Sequence, residues 1–191
     1  MSVVSKESEK LNPHKRPKEP GKVRKLILRA AEKLASAGGE DSVSFAKIAK
    51  MVGISTGAVI HHFPNKNALL EAVVEIAIDS IEKTYEEKLK QATNKKYLFT
   101  KVYVETALRG SDEFTTLLKL SLTSVDLSAR WQERITEILS RADPTDCSEK
   151  AELLRFCADG IWLTKISSQS TKHTQRAEAL LMGKLDQLKL K

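Results

Sequence analysis

The stretch that decides the fold is residues 44–66, SFAKIAKMVGISTGAVIHHFPNK. It contains two short apolar segments separated by Gly53, and glycine readily takes the left-handed conformation needed where a helix ends. Ser44 stands before the first segment and Ser55 before the second, and serine is a favoured residue at the start of a helix. The spacing therefore predicts two helices of about two turns joined by a tight turn, which is a helix-turn-helix.

The segment on the N-terminal side of this motif predicts a third helix. It starts near Gly21 and ends at Gly38-Gly39, where glycine favours a helix C-terminus. Its apolar residues recur at helical spacing on one face: Val23, Leu26, Ile27, Ala30, Ala31 and Leu34. Together the three helices predict a small domain over residues 21–66.

The segment on the C-terminal side predicts a longer helical domain over residues 67–191. Pro64 ends the second short helix, and Asn65 is placed to cap a long helix. That helix carries an apolar stripe formed by Leu69, Val73, Ile76 and Ala77. Further helices are predicted over about 95–109, 112–121, 124–141, 147–167 and 173–189, and no strand is evident. The predicted fold class is all-α, a helix-turn-helix domain followed by a helical bundle.

The excess positive charge of the chain lies in its first third. Residues 1–70 contain 13 Lys and Arg against 6 Asp and Glu, whereas residues 71–191 contain 19 of each. Such an asymmetry is typical of a nucleic-acid-binding segment. Residues 1–20 are rich in Lys, Glu, Pro and Ser and are predicted to form a disordered basic arm. That arm is either a solvated tail or an additional contact to DNA.

The composition also argues against several classes of protein. No run of about 18 apolar residues occurs, so no membrane span is predicted. The N-terminal residues lack the apolar core of a signal peptide, and two cysteines are too few for a disulfide framework, so we expect a cytoplasmic protein. Cys157 is interpreted as a small apolar residue and Cys147 as partly exposed, with a redox pair as the alternative.

The adjacent residues His61 and His62 raise the question of a metal or catalytic site. Neighbouring residues point to different faces of a helix, so the two cannot easily bind one metal ion. No Cys-x-x-Cys or His-x-x-x-His pattern and no phosphate-binding glycine loop accompanies them. We therefore predict no catalytic residue, no metal, no cofactor and no enzymatic activity.

Residues 22–75 closely resemble the DNA-binding domain of the TetR family of bacterial transcriptional regulators. The resemblance is carried by the first helix and by SFAKIAKMVGISTGAVIHHFPNKNALLEAV. It implies a second, helical domain that dimerises through its last two helices and binds a small molecule. A shorter segment, FCADGIWLTKI at residues 156–166, resembles the C-terminal domain of the choline/betaine-type repressors.

The resemblance also implies which residues contact double-stranded DNA. The second short helix would enter the major groove, with Thr56 the best candidate for reading a base and Gly57 allowing close approach. Ser44 and Lys66 match phosphate-contacting positions. The family usually has Tyr at the position of Ile60, where the ring reaches DNA. Ile60 can offer only apolar contact, so His61 is expected to provide a larger share of the DNA contacts. The implied DNA-binding residues are Ser44, Ser55, Thr56, Gly57, Ala58, Ile60, His61 and Lys66.

The family also implies how such a protein is regulated. The expected protein is a repressor that binds a palindromic operator as a homodimer and is released by a small-molecule effector. The alternative is a DNA-binding dimer that is regulated by a protein partner or has no ligand. The candidate ligand-binding residues are Tyr103, Phe114, Leu118, Trp131 and Trp162, and the competing interpretation is that these apolar side chains only form the core. The last two helices carry apolar faces wide enough for a second subunit.

Overall fold

The computed structural model describes residues 20–167 and 172–188. Within these ranges every regular element is helical, which confirms the predicted all-α fold class. The predicted arm lies outside the described residues apart from Pro20, where the first helix begins. The elements are α1 (Pro20–Ser42), α2 (Phe45–Val52), α3 (Thr56–His62), α4 (Lys66–Gln91), α5 (Leu98–Arg109), α6 (Asp112–Thr123), α7 (Val125–Arg141), a 3₁₀ helix (Pro144–Cys147), α8 (Glu149–Ser167) and α9 (Lys172–Gln187).

The first helix is interrupted at the predicted position. Gly39 has a φ of +67°, in the left-handed region, and Gly38 is also non-helical. One more helical turn follows and ends at Ser42, whose hydroxyl donates to the Gly39 carbonyl oxygen over 2.7 Å. The break at the two glycines directs the chain into the helix-turn-helix.

α2 and α3 form the predicted helix-turn-helix. The hydroxyls of Ser44 and Ser55 accept hydrogen bonds from backbone N–H groups three residues further on, at 3.3 and 3.2 Å. Between the helices, Gly53 has a φ of +74° and donates its N–H to the Ala49 carbonyl oxygen over 2.9 Å. Each of these caps is local in sequence, which explains why the motif could be predicted.

α4 connects the helix-turn-helix to the rest of the protein without a break. The Asn65 side chain accepts from the Ala68 N–H over 2.8 Å and caps a helix of 26 residues. This helix packs against α1, α5, α6 and α7. Because α4 starts at Lys66 and belongs to both halves, the division into residues 21–66 and 67–191 stays a prediction.

Two side chains that the sequence placed in the core are exposed. Leu26 of α1 is 46% exposed and Ile76 of α4 is 41% exposed. Their neighbours Ile27 and Ala77 are fully buried, so Leu26 and Ile76 fall at the edge of the packed helix face. Leu28, which the predicted face omitted, is buried in place of Leu26.

The helices of the second half lie close to their predicted positions, and α5 deviates most. Its predicted start was residue 95, but the helix begins at Leu98 because Tyr97 has a φ of +56° and provides no side-chain cap. Asp146 of the 3₁₀ helix takes that role, since its carboxylate accepts from the N–H groups of Phe99 and Thr100 at 3.2 and 2.8 Å. This cap joins segments far apart in the sequence.

The N-terminal and C-terminal helices are also joined by polar contacts. Lys119 of α6 donates to the carbonyl oxygens of Ser36 and Ala37 near the end of the regular part of α1. Three arginines of α7 face four acidic residues of α4, and the ion pairs are Arg130–Glu75, Arg134–Asp79, Arg134–Glu82, Arg141–Glu82 and Arg141–Glu86. Through these contacts α1 and α4, the helices on either side of the helix-turn-helix, are bound to α6 and α7 of the bundle.

α8 and α9 present a wide apolar surface to solvent. Leu153, Phe156 and Leu180 are 62%, 63% and 60% exposed. Cys157 is exposed on the same stripe of α8, so its interpretation as a small buried residue was wrong, whereas Cys147 is exposed as expected. The inner stripe of α8, formed by Ala151, Leu154, Ala158 and Trp162, is buried. Both faces of α8 are therefore largely apolar.

None of the helices in residues 20–167 and 172–188 is long and apolar enough to cross a bilayer.

Candidate nucleic-acid interface

α3 has one buried side and one side that is free to contact a partner. Val59 is its only buried residue. Thr56, Gly57, Ile60 and His61 are exposed and follow one another at the spacing of one helix face. We call these four residues the reading face. Its side chains are small at the start of the helix and larger at its end, so the N-terminal part permits the closest approach of a partner.

The other predicted contact residues flank the reading face at helix starts. Ser44 and Ser55 are the N-caps of α2 and α3, and Ala58 is half-buried one position before Val59. Lys66 begins α4, with its Nζ 3.7 Å from Glu40 Oε1. A helix start presents unpaired N–H groups to an anion, and at Lys66 a cationic side chain adds to them.

Additional cationic side chains lie on the helices that precede α3 in the chain. Lys47 and Lys50 are exposed on α2, and Lys47 Nζ donates to the Ser42 carbonyl oxygen over 3.0 Å. Arg24 of α1 lies over the ring of Phe63, the residue that follows α3, with 4.7 Å between the guanidinium carbon and the ring centroid. The sequence prediction missed Arg24 because the two residues are far apart in the chain and only the fold brings them together.

The two histidines of α3 lie next to each other. Their rings contact edge to face with centroids 5.6 Å apart. Among the described residues, no group of three or more His, Cys, Asp or Glu side chains is arranged to hold a metal ion. His61 is exposed at the end of the reading face, whereas His62 is half-buried.

Four of the five predicted ligand-binding residues are buried aromatic side chains. Tyr103 contacts Phe114 edge to face at 5.4 Å and stacks on Trp131 at 6.0 Å between centroids. Trp162 donates its indole N–H to Thr115 Oγ1 over 3.4 Å. Tyr103, Phe114, Trp131 and Trp162 are each 3% exposed or less, and Leu118 is half-buried. The structure thus packs Tyr103, Phe114 and Trp131 against one another, and the ligand-binding role of the set stays a prediction.

A carboxylate that the sequence prediction did not identify lies against this aromatic cluster. The Tyr103 hydroxyl donates to Asp159 Oδ1 over 2.8 Å. Burial raises the pKa of Asp159 to about 6, and the hydrogen bond from Tyr103 and the charge of Arg155 only partly oppose this rise. Burial also raises the pKa of Tyr103 well above its usual value, so the phenol keeps its proton.

An apolar groove lies elsewhere in the described residues, between α8 and α9. Its volume is about 690 Å³. Apolar side chains dominate its lining, among them Leu153, Leu154, Cys157, Ile161, Leu180 and Leu181. It therefore coincides with the exposed apolar face of these two helices.

Comparisons with known proteins agree with this geometry. The model for bacterial regulatory proteins of the tetR family matches residues 27–73, and the model for the tetracyclin repressor-like C-terminal domain matches residues 98–186. The nucleoid occlusion factor SlmA of Aliivibrio fischeri is 35% identical over 65 residues, which cover 34% of this chain. The match spans only 33% of the length of that relative.

Solved structures show the same fold over most of the chain. A transcriptional regulator from Saccharomonospora viridis, in complex with choline, has a TM-score of 0.67 at 17% identity and covers 87% of this chain and 96% of its own. The multidrug binding protein EbrR, complexed with malachite green, has a TM-score of 0.58 at 20% identity and covers 84% of this chain and 96% of its own. With both family models matched, this chain belongs to the TetR family of DNA-binding bacterial transcriptional regulators, which are not enzymes.

Proposed function

We propose that this regulator is a repressor that binds a palindromic operator as a homodimer and leaves it when a small molecule binds the C-terminal helices. The observation that carries the proposal is the reading face of α3, which is exposed and is followed by Lys66 at the start of α4, with Arg24 of α1 against the adjoining residue Phe63. Residues 21–66 form the DNA-binding domain in this proposal, and residues 67–191 form the dimerisation and effector domain.

α3 enters the major groove with its N-terminal residues against the bases. Thr56 reads a base through its hydroxyl and methyl groups, next to Ser55, Gly57 and Ala58. Ile60 contributes an apolar contact to a thymine methyl group. Other contacts, from Ser44, His61 and Lys66, go to the phosphates and fix the position of the domain without reading the sequence.

The exposed apolar face of α8 and α9 supports the homodimer. Leu153, Phe156, Leu163 and Leu180 would be covered by the same residues of a second copy, because a twofold interface places one surface patch against itself. A twofold dimer presents two copies of α3, which fit half-sites about one helical turn of DNA apart.

We propose an organic cation as the effector. Asp159 is a half-buried carboxylate that accepts from the hydroxyl of Tyr103, whose ring stacks on Trp131. Aromatic faces attract cations, and a cation would offset the cost of keeping this carboxylate ionised away from water. Choline and malachite green, the ligands in the two related structures, are both cations. Because the aromatic rings are tightly packed, binding requires α5, α7 and α8 to move apart.

Thermal unfolding with choline and with its neutral isostere 3,3-dimethyl-1-butanol tests the effector proposal. We expect only the cation to raise the melting temperature and weaken DNA binding, and we expect Asp159→Asn to abolish both effects. If neither compound acts but a protein partner weakens DNA binding, the regulator responds to that partner instead.

The response to the cation should depend on pH through Asp159. Because its pKa is raised to about 6, the carboxyl loses its charge as the pH falls through that value. Cation affinity should therefore fall about tenfold between pH 7.5 and pH 5. The folding stability of the ligand-free protein should change with pH in the opposite direction. Because the pKa of Asp159 is raised in the folded state, its protonated form favours folding, and this contribution to the free energy of unfolding is lost as the pH rises through 6.

Selection of bound sequences from a random DNA pool tests the operator proposal. We expect the full chain to enrich a palindrome with half-sites about one helical turn apart. Enrichment of a single half-site would contradict the homodimer, and equal binding of all sequences would contradict specific reading by α3.

A further inference from the structure

Arg24 of α1 contacts Phe63, the residue that caps the C-terminal end of α3. Its guanidinium carbon lies 4.7 Å from the centroid of the Phe63 ring, well within the range of a cation–π contact. Phe63 is the C-cap of α3, donates its N–H to the Val59 carbonyl oxygen over 2.9 Å and is only 2% exposed. Arg24 itself is exposed, so it forms the outer side of this contact.

This contact is important because α3 has few others. The helix has seven residues, and Val59 is the only one that is buried. The buried ring of Phe63 is therefore a main anchor of α3 on the remainder of the domain. A side chain that stacks on this ring is held in a defined place relative to α3.

The hydrogen-bonding groups of Arg24 are not engaged within the part of the chain that the structure describes. No hydrogen bond or ion pair of Arg24 occurs there, whereas Arg134 and Arg155 both have oxygen partners. An arginine that stacks through the face of its guanidinium group keeps the N–H donors along the edge of that group, and these suit a phosphate.

The neighbourhood of Phe63 is where the DNA backbone is expected. His61 precedes Phe63 by two residues on the reading face, and Lys66 follows it by three at the start of α4. We propose that Arg24 is a phosphate-binding residue of the DNA interface, and that the Phe63 ring holds its guanidinium plane in place for this contact. The inference rests on the proposed DNA binding and adds a contact from α1, outside the helix-turn-helix.

Salt dependence of binding to the selected operator tests this inference in the full chain. Each phosphate contact contributes about 0.9 to the slope of log K against log salt concentration. We expect Arg24→Gln to reduce the slope by about one. The matched control is Arg29→Gln, because Arg29 is also exposed on α1 and has no contact with Phe63. The control should leave the slope unchanged.

The role of the ring is tested by combining Arg24→Lys with Phe63→Leu. Lysine keeps the charge but not the planar group, so Arg24→Lys should weaken binding about threefold with most of the slope retained. In the Phe63→Leu background the same change should have no further effect, because the stacking partner is gone. Thermal unfolding of each variant verifies that it is folded. If Phe63→Leu does not fold, the salt slopes of Arg24→Gln and Arg24→Lys decide whether Arg24 contacts a phosphate.

The possible results distinguish a failure of the Arg24 contact from a failure of DNA binding itself. Equal slopes for Arg24→Gln, Arg29→Gln and the wild type would overturn the phosphate contact. Additive losses in the double variant would overturn the role of Phe63. If the wild-type chain itself selects no DNA, the proposed function fails and the phosphate contact fails with it.

Discussion

Two exposed surfaces of this protein both lie on α-helices but differ in the chemistry of their side chains. The reading face of α3 combines small and polar residues with the single apolar side chain of Ile60, and the cationic residues Arg24 and Lys66 lie on the neighbouring helices α1 and α4. The outer face of α8 and α9 carries Leu153, Phe156 and Leu180, each at least 60% exposed. Exposed apolar area is stabilised by covering it with another protein surface, whereas cationic and polar groups suit a polyanion. We therefore propose that the reading face contacts DNA and that the outer face of α8 and α9 contacts a second subunit.

The largest expected effect comes from placing a charge on the apolar face. Phe156→Glu would bury one carboxylate from each subunit in the proposed interface, so we expect the dimer to dissociate and operator affinity to fall about 100-fold or more. Sedimentation velocity and operator binding measure the two effects.

The matched control for this change is Val125→Glu. Val125 is 86% exposed at the start of α7, outside the apolar face of α8 and α9, so the same kind of change there should leave the dimer intact. A Phe156→Glu protein that remains dimeric would remove the outer face from the subunit interface.

The next effect is a loss of specificity on the reading face. Thr56→Ala removes a hydroxyl and a methyl group that face a base in the proposed complex, and we expect discrimination at one base pair to fall about tenfold. The free energy of unfolding should change by less than about 0.5 kcal/mol because Thr56 is exposed. Binding to operators mutated at single positions measures the change.

Thr136→Ala provides the comparison for Thr56→Ala. Thr136 is exposed on α7, far from α3 in the chain, and its substitution should leave specificity unchanged. If Thr56→Ala weakens binding equally on every operator variant, Thr56 contacts the backbone and does not read a base.

The reading face could be predicted from the sequence because its determinants are local. Ser44, Gly53, Ser55 and Asn65 cap helices through backbone groups within four residues, so their roles follow from spacing alone. The outer face was predicted less completely. An apolar stripe indicates burial against something, and only the packing of α8 shows that its second stripe is left uncovered.

The features that the sequence did not reveal join residues far apart in the chain. The Asp146 cap of α5, the Tyr103–Asp159 hydrogen bond and the Arg24–Phe63 contact all depend on the tertiary arrangement of helices. None of them has a characteristic spacing. Residue types alone did not distinguish these side chains from the many charged residues that only contact solvent.

A smaller effect is expected at the edge of the reading face. Lys66→Ala should reduce the salt slope by about one and weaken operator binding about fivefold at 0.15 M salt, equally for all sequences. Glu40→Gln should strengthen binding, because the carboxylate 3.7 Å from the Lys66 ammonium competes with phosphate for it.

Lys90→Ala is the control for Lys66→Ala. Lys90 is exposed in the last turn of the same helix, α4, far from its start. Titrations at several salt concentrations compare the variants. Equal slopes for Lys66→Ala and Lys90→Ala would exclude a phosphate contact at Lys66.

The smallest effect concerns Ile60, which stands where the family usually has tyrosine. Ile60 is 48% exposed on the reading face and offers only apolar contact. In Ile60→Tyr the added hydroxyl can donate to a phosphate. A typical hydrogen bond contributes about 0.5–1.5 kcal/mol net, and at this exposed position we expect the lower end of that range, about a threefold gain in affinity. Ile60→Phe adds the ring without the hydroxyl and should gain less. An equal gain for both variants would assign the effect to the ring, and a loss with tyrosine would mean that isoleucine is required against this operator. In that case the apolar contact of Ile60 would itself contribute to sequence reading, and its effect should be confined to operators that place a thymine methyl group opposite it.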